Sequence, residues 1–424
     1  MVTPAQQKRV LMVAFHFPPQ RGSSGVQRTL KFSRYLGSSG WQPLVLSAHP
    51  RAYTAKGDDQ LRDVAPDLVV RRAFALDTSR HLAFKGRYFG ALALPDRWVT
   101  WLLGAVPAGL RMIRTYRPQV IWSTYPIATA HLIGLTLHRL TGLPWVADLR
   151  DPMIDDAYPS GRLTRAIFRW IETQTVRHAV RVVCTTPGAI TAYRTTYPEL
   201  PPERFALIEN GYDEENFRDA ETLAVPRRRV AGEPLLLLHS GIIYPSERDP
   251  THLFEALAAL LKAGRISPAT LNVRLRAAVH DAYLEAMIAR YAIGSIVTVA
   301  PHLPYREALT EMLSADALLV LQAANCNAQI PAKIYEYLRA RRPILALTDA
   351  TGDTATTLRC AGIDTIGPLD VPEAIAQTLM RFLDQVGAGT APLPTPKVIE
   401  MNSRRARTVQ LAALLDQVAA RPNR

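Results

Sequence analysis

The chain has 424 residues, 48% hydrophobic and 21% charged, which is the balance of a folded globular protein rather than a disordered or fibrous one. Its length exceeds one ordinary hydrophobic core and predicts two domains. The net charge of +13 favours anionic partners such as acidic lipids or phosphorylated substrates. Nucleic acid is not expected as a partner, since no basic block is interleaved with stacking aromatics and no helix-turn-helix or RNP pattern is present.

The first half of the chain alternates short apolar runs with helix-length segments. Such alternation predicts a parallel sheet covered by helices on both faces. The predicted strands are 9–15, 43–47, 68–73, 119–124, 144–148 and 181–185, and the helical segments include 25–38, 126–140 and 161–178. An apolar run from 205 then leads into the turn dipeptide Asn210-Gly211, which predicts the junction of two domains.

After a charged, low-complexity stretch the alternation resumes. The predicted strands are 234–241, 271–279, 295–300, 316–322, 342–347 and 362–367, followed by a linker at 387–396 and a terminal helix. We therefore predict a first α/β domain over 1–209, a second over 210–386, and a linker with a terminal helix over 387–424. Ligands of parallel sheets bind at the carboxyl ends of the strands, so the expected site is the cleft between the domains.

No stretch reaches the roughly 18 apolar residues that a membrane-spanning helix needs. The nearest is Trp98–Leu110, which is interrupted by Pro107 and flanked by Arg97 and Arg111. It is either a buried helix of a domain core or an interfacial segment that dips into a membrane surface. The N-terminus lacks the features of a signal peptide, and three scattered cysteines form no disulfide or zinc pattern, which predicts a cytoplasmic protein.

A glycine-rich loop follows the first predicted strand, in "HFPPQRGSSGVQR". Backbone amides at Gly22, Ser23 and Gly25, aided by the dipole of the next helix, suit a phosphate or a sugar oxyanion. A tight turn without a ligand explains the loop equally well. The loop is neither GxGxxG nor a Walker loop, and no acidic residue ends the second strand, which argues against a nicotinamide dehydrogenase.

Three charged residues end another predicted strand, in "WVADLRDP". Asp148, Arg150 and Asp151 either form a structural ion-pair network or face a ligand, and strand-tip charges are often functional. The two acids are not assigned as a glycosidase pair, because their separation cannot be derived from sequence.

Two cations stand at strand-to-helix junctions of the second domain. Lys333 falls in the first turn of a predicted helix that opens with Pro331, and Arg248 stands just before another helix. A cation there opposes the helix dipole unless an anion also binds, so the pair indicates a shared polyanion, most simply a diphosphate. Glu336, one turn after Lys333, either pairs with it internally or accepts hydrogen bonds from the vicinal hydroxyls of a ribose.

Taken in order, seven segments resemble the retaining glycosyltransferases of the GT-B fold, specifically the glycosyltransferase family 4 group. They are "HFPPQRGSSGVQR", "LPDRWVTW", "STYPIATAHLIG", "PWVADLRDP", "LIENGYDEENF", "HSGIIYPSERDP" and "IPAKIYEYLRARRPILAL". The resemblance spans nearly the whole chain and rests on the order and spacing of the segments together. It implies an α/β fold of two Rossmann-like, doubly wound domains that face each other across a cleft.

The resemblance also implies a role for each candidate residue. The glycine-rich loop would approach the donor diphosphate and sugar, the two cations would bind the diphosphate, and the glutamate would bind the ribose. Asn210-Gly211 would mark the hinge, and the last helix would return to the first domain. The donor-binding set is Gly22, Ser23, Gly25, Arg248, Lys333 and Glu336, and the catalytic candidates, which would contact the transferring sugar and the acceptor, are Arg150 and Asp151.

The implied activity is retaining hexosyl transfer, without a metal or other cofactor, from a UDP- or GDP-sugar to a lipid-linked or saccharide acceptor. The expected pathway makes a polysaccharide, glycolipid or cell-envelope glycan, and the basic charge with Trp98–Leu110 predicts work on an anionic membrane at its cytoplasmic face. Two alternatives stay open: a GT-B-like sugar-nucleotide epimerase and an inactive nucleotide-sugar-binding protein. The latter is favoured by Ala328, which stands where the family has the first of two glutamates eight apart. A second departure from the family pattern is Ile242, where a basic residue is often found.

Overall fold

The computed structural model describes residues 7–21, 24–58, 60–155, 158–224 and 232–420. Within these ranges the chain forms two compact units. The first consists of the described residues up to Asn210 together with those from Arg404 onward, and the second is Gly211–Ser403.

The first unit is built on a seven-stranded, wholly parallel sheet in the order β3-β2-β1-β4-β5-β6-β7. Its strands are β1 (Lys8–Val13), β2 (Trp41–Ala48), β3 (Val69–Ala73), β4 (Val120–Thr124), β5 (Trp145–Arg150), β6 (Arg181–Cys184) and β7 (Phe205–Leu207). The intervening helices are α1 (Ser24–Tyr35), α2 (Thr78–His81), α3 (Trp101–Tyr116), α4 (Ala128–Thr141), α5 (Arg162–His178) and α6 (Pro187–Thr196).

The second unit repeats this architecture with six parallel strands in the order β10-β9-β8-β11-β12-β13. They are β8 (Leu235–Ser240), β9 (Leu271–Arg276), β10 (Val297–Ala300), β11 (Ala317–Leu321), β12 (Ile344–Leu347) and β13 (Ile366–Gly367). The helices are α7 (Glu214–Glu221), α8 (Thr251–Lys262), α9 (Asp281–Arg290), α10 (Tyr305–Ser314), α11 (Lys333–Ala340), α12 (Asp353–Cys360), α13 (Pro372–Ala388) and α14 (Pro396–Met401).

Each sheet separates two hydrophobic layers, because successive strand residues point to opposite faces. In β8, Leu235 and Leu237 belong to one buried cluster and Leu236 and Leu238 to the other. Burial on both faces explains why the strands read as continuous apolar runs rather than as alternating ones.

The terminal helix, α15 (Arg404–Ala419), packs against α1 of the first unit. Leu411 and Leu415 are buried there in the same cluster as Trp122 of β4. Asp416 accepts hydrogen bonds from Lys8 Nζ at 2.7 Å and Trp41 Nε1 at 2.9 Å. The last helix therefore completes the hydrophobic layer on one face of the first sheet.

The structure corrects one sequence-based prediction and decides between the alternatives of another. Helix α11 begins at Lys333, with Ala332 as its N-cap, so Pro331 precedes the helix instead of opening it. The Trp98–Leu110 segment enters α3, whose Trp101 is fully buried, and packs on the core of the first unit. This segment is thus a core helix rather than an interfacial one. Across the described residues, no helix combines the length and the apolar character that a bilayer crossing requires.

Candidate functional site

A pocket lies at the point where the second sheet reverses its strand order. Strand β8 pairs with β9 on one side and with β11 on the other, so the connections leave it in opposite directions. Open parallel sheets bind ligands at the carboxyl ends of strands at such a switch point. The lining residues come from the ends of β8 and β11 and from the start of α11: His239, Ser240, Gly241, Arg248, Leu319, Val320, Leu321, Pro331, Lys333, Ile334 and Tyr337.

Arg248 and Lys333 both line this pocket. Arg248 Nη1 donates to the carbonyl of Ile242 at 2.7 Å, and its guanidinium lies 5.5 Å from the ring centroid of Tyr244. Among the described residues no carboxylate forms an ion pair with Arg248. The structure therefore brings together the two cations that the sequence placed at strand-to-helix junctions, and it leaves Arg248 able to bind an anion.

Glu336 stands behind Lys333 and does not line the pocket. Lys333 Nζ lies 2.9 Å from Glu336 Oε2, so the internal pair that the spacing allows is formed. The hydroxyl of Tyr305 donates to Oε1 at 2.8 Å. Oε2 is buried and pairs with the Lys333 ammonium. Because a carboxylate oxygen has two lone pairs, it can accept one further hydrogen bond.

The backbone at the end of β8 faces the start of α11. Gly241 has φ of +149°, a conformation that side chains disfavour, and a Cβ there would lie 3.9 Å from Lys333 Cγ. The amide of Ser240 donates to the Tyr337 hydroxyl at 2.8 Å. Burial raises the pKa of Tyr337, so this hydroxyl stays protonated and ties β8 to α11.

His239, like Ser240 and Tyr337, lines the pocket without having been predicted from the sequence. Its Nδ1 lies 3.0 Å from the carbonyl of Leu319, while its buried Nε2 has no hydrogen-bond partner among the described residues. Burial, with the nearby Arg248 and Lys333 adding to it, lowers the pKa of His239 to about 4. The available signal was a polar residue at the carboxyl end of the apolar run "LLLLHSG".

In the first unit, Asp148 is a structural residue. Its carboxylate forms a two-pronged ion pair with Arg28 of α1, with distances of 2.8 Å to Nε and 2.9 Å to Nη2. Thr124 Oγ1 adds a third hydrogen bond at 3.0 Å, and Arg28 also donates to the carbonyls of Ile208 and Glu209. For Asp148 the ion-pair interpretation of the strand tip is therefore correct.

Arg150 and Asp151 occupy the same strand tip. Arg150 is buried with φ of +65°, and its Nε has no hydrogen-bond partner in the described residues. The Thr185 hydroxyl donates to Asp151 Oδ1 at 3.1 Å. Burial, with the nearby Arg150 adding to it, lowers the pKa of His16 to about 3. Non-glycine residues with positive φ cluster at functional sites, and the pairing register of β5 with β6 shifts at this point.

The glycine-rich loop is only partly described. Gly22 and Ser23 lie outside the described residues, whereas Gly25 is the buried second residue of α1. Of the two positions that depart from the family pattern, Ile242 follows Gly241 at the pocket and Ala328 is exposed in the β11–α11 connection. In the described ranges, no three His, Cys, Asp or Glu side chains are grouped so that they could hold a metal ion.

One family model matches within the first unit. Residues 23–211, somewhat less than half of the chain, match the model of the glycosyl transferase 4-like domain. That domain includes α1, Arg28 with Asp148, and the strand tip with Arg150 and Asp151. No curated protein sequence matches the chain.

Solved structures extend the likeness to the whole chain. Sucrose-phosphate synthase from Thermosynechococcus elongatus has a TM-score of 0.69 at 15% identity, over 97% of this chain and 99% of that one. Anabaena Alr3699/HepE in complex with UDP and glucose gives 0.65 at 15% identity, over 97% and 100%. The lipopolysaccharide outer core galactosyltransferase WaaB gives 0.58 at 12% identity, over 96% and 99%. A UDP-N-acetylglucosamine 2-epimerase gives 0.54 at 11% identity, over 98% and 97%.

These likenesses establish the fold. The glycosyl transferase 4-like domain is the first of two Rossmann-like units, and the chain has the GT-B fold. The α/β class predicted from the sequence is confirmed by the two parallel sheets with alternating helices.

Proposed function

We propose that the protein is a retaining hexosyltransferase that uses a nucleotide diphosphate sugar as donor. One observation carries the proposal: Arg248 and Lys333 line a single pocket at the switch point of the second sheet, and none of the residues lining it is acidic. Two cations at one pocket suit the charge of a diphosphate. The similar HepE structure, obtained in complex with UDP and glucose, supports a UDP-sugar as the donor, and a GDP-sugar has the same diphosphate.

In this proposal the leaving group is stabilised by fixed positive charge. The departing nucleoside diphosphate gains negative charge as the glycosidic bond breaks, and the positive charges of Arg248 and Lys333 would stabilise it. Electrostatic preorganisation of this kind needs no metal ion, so we propose metal-independent transfer. The glycine-rich loop (Gly22, Ser23, Gly25) would approach the diphosphate and the sugar from the first unit.

Glu336 is proposed to bind the ribose of the donor. Its Oε1 is held by Tyr305 and its Oε2 remains able to accept, so a hydroxyl can be bound while the carboxylate stays in place. The Lys333–Glu336 pair seen without a ligand is compatible with this role, because an ammonium group has three donors and can contact a phosphate as well.

The acceptor hydroxyl would attack on the face that the leaving group departs from, which retains the anomeric configuration. Arg150 and Asp151 are proposed to contact the transferring sugar and the acceptor. We further propose that the acceptor is lipid-linked or a growing saccharide, that the pathway makes a polysaccharide, glycolipid or cell-envelope glycan, and that the enzyme works at the cytoplasmic face of a membrane.

Incubation with radiolabelled UDP- and GDP-sugars, with and without a lipid-linked acceptor fraction, tests the proposal. We expect label to move to the acceptor in the presence of EDTA, and proton NMR of the product to show the donor's anomeric configuration. An Arg248→Gln/Lys333→Gln variant should lose transfer, while Arg265→Gln, a surface control, should keep it. Failure of every donor to transfer label with a competent acceptor fraction would contradict the proposal.

The epimerase stays the second candidate because a UDP-N-acetylglucosamine 2-epimerase shares the fold. The same incubation without acceptor separates it from a transferase, since an epimerase would release an epimerised sugar nucleotide. An inactive binding protein would retain UDP affinity and give neither product.

A further inference from the structure

A basic, aromatic hairpin projects from the first unit between α2 and α3. Within residues 82–92, five large apolar side chains are exposed, and two of them are exposed almost completely: Phe84 by 78% and Phe89 by 83%. The others are Leu82, Tyr88 and Leu92. Soluble proteins rarely expose large apolar side chains this closely together unless the surface binds a partner.

The tip of the hairpin is a two-residue turn. Phe84 and Arg87 exchange both backbone hydrogen bonds, at 2.8 and 3.0 Å, and Lys85 and Gly86 between them have positive φ of 48° and 75°. This is the turn geometry that two-residue hairpins prefer. The Lys85 ammonium lies 5.7 Å from the Phe84 ring centroid. The turn therefore presents an aromatic ring and two cations at one point.

The base of the hairpin is held to the unit. Asp77 caps α2 by accepting from the amide of Ser79 at 3.1 Å. The Thr78 hydroxyl donates to the carbonyl of Leu92 at 2.7 Å, and the Thr78 amide donates to the carbonyl of Arg97 at 2.8 Å. The chain after the hairpin is thus tied to the first residue of α2. The aromatic side chains are displayed on a supported structure rather than collapsed onto the core.

The charge of the segment selects the partner. From Thr78 to Pro95 the sequence has no Asp or Glu, whereas it has Arg80, Lys85 and Arg87. Aromatic rings favour the headgroup level of a bilayer, and basic residues beside them are attracted to anionic lipids. We propose that this basic aromatic hairpin, residues 82–92, seats the protein on an anionic membrane surface.

This inference rests on the membrane-bound site of action in the proposed function, and it moves the contact away from Trp98–Leu110. That segment packs against the hydrophobic core of the first unit, and its Trp101 is fully buried. The hairpin precedes α3 and is therefore adjacent in sequence to Trp98–Leu110. Its apolar side chains, unlike Trp101, are exposed.

The test is flotation of the full chain with vesicles of phosphatidylcholine alone, or of equal parts phosphatidylcholine and phosphatidylglycerol. We expect binding to anionic vesicles at low salt and release at high salt, because the attraction is screened over a Debye length of about 8 Å at physiological ionic strength. Phe84→Ser/Phe89→Ser and Lys85→Gln/Arg87→Gln should each lower the partition coefficient by about tenfold or more. A matched control, Leu140→Ser/Val409→Ser, removes two other exposed apolar side chains of the unit and should bind like the wild type.

Folding of each variant is checked by its thermal unfolding midpoint, and donor binding by calorimetry with UDP. If both hairpin variants float like the wild type, or if the wild type does not float, the hairpin is not a membrane contact. A Phe84→Ser/Phe89→Ser variant that abolishes self-association seen without vesicles would assign the hairpin to a protein interface and overturn the inference. Retained UDP binding and transfer to a detergent-solubilised acceptor separate each of these outcomes from failure of the proposed glycosyl transfer.

Discussion

Replacing Lys333 by Ala tests the diphosphate site most directly. The side chain is 36% exposed and lies 2.9 Å from the buried Glu336 carboxylate. A direct charge-assisted contact with phosphate is worth about 1.5–3 kcal/mol, and the partial exposure of Lys333 places it near the lower end. Since about 1.4 kcal/mol is a factor of ten, we expect roughly tenfold weaker UDP binding.

The loss should have a second component. In Lys333→Ala the Glu336 carboxylate keeps its charge but loses the nearby ammonium, so it would repel the incoming diphosphate. Adding Glu336→Gln removes that repulsion. The double variant is therefore expected to bind UDP more tightly than Lys333→Ala, although more weakly than the wild type.

The assay is isothermal calorimetry with UDP, GDP and uridine at fixed ionic strength. Uridine lacks phosphate, so its affinity should be almost unchanged in Lys333→Ala. Lys262→Ala removes the same charge from the exposed end of α8 and controls for net charge. Equal losses for UDP and uridine, or no loss for UDP, would refute the assignment of Lys333 to the diphosphate.

Three further predictions concern ribose recognition, a buried ion pair and acid sensitivity. Glu336→Gln should abolish most of the preference for ribose over 2′-deoxyribose donors, measured as a ratio of kcat/KM, and a variant that keeps the preference would make Glu336 purely structural. Arg28→Met should lower the free energy of unfolding by about 3–5 kcal/mol in urea titrations, because Asp148 stays buried without its cation, and a loss below about 1 kcal/mol would contradict this. Because the pKa of His239 is about 4 when folded and about 6.5 when unfolded, stability should fall as pH drops through that window. The loss of unfolding free energy due to His239 approaches about 3 kcal/mol below pH 4. His239→Gln should remove that loss from the profile of unfolding free energy against pH, and an unchanged profile would argue against a buried neutral imidazole.

Much of the fold follows from local pattern. The apolar runs at 9–15, 119–124 and 316–322 correspond to central strands of the two sheets. Such strands can be predicted because a strand covered on both faces needs a continuous apolar sequence. The boundaries of α11 differed, since Pro at the first helical position is a preference and not a requirement.

Part of the candidate site follows from a single rule. Lys333 and Arg248 are predicted to bind an anion because a cation at a strand-to-helix junction conflicts with the helix dipole, and the structure places both at one pocket. The partners that define the chemistry come from distant parts of the chain: Tyr305 reaches Glu336 across 31 residues, and Arg28 reaches Asp148 across 120. The exposure of Phe84 in the hairpin could not be predicted either, because the sequence does not show which other residues pack against an apolar side chain.

The return of the last helix to the first unit makes the second unit an insertion. Its two ends meet: the amide of Tyr212 donates to the carbonyl of Asn402 at 3.2 Å, and Tyr212 bridges to Ser403. On the other side of both junctions, Arg407 Nε donates to the carbonyl of Asn210 at 3.3 Å. Residues 211–403 therefore form a cassette whose entry and exit lie side by side. Adjoining ends are the arrangement in which a unit can be exchanged between related chains with little change to the rest of the fold. Under the proposed function, such an exchange would transfer donor preference while the first unit stays unaltered.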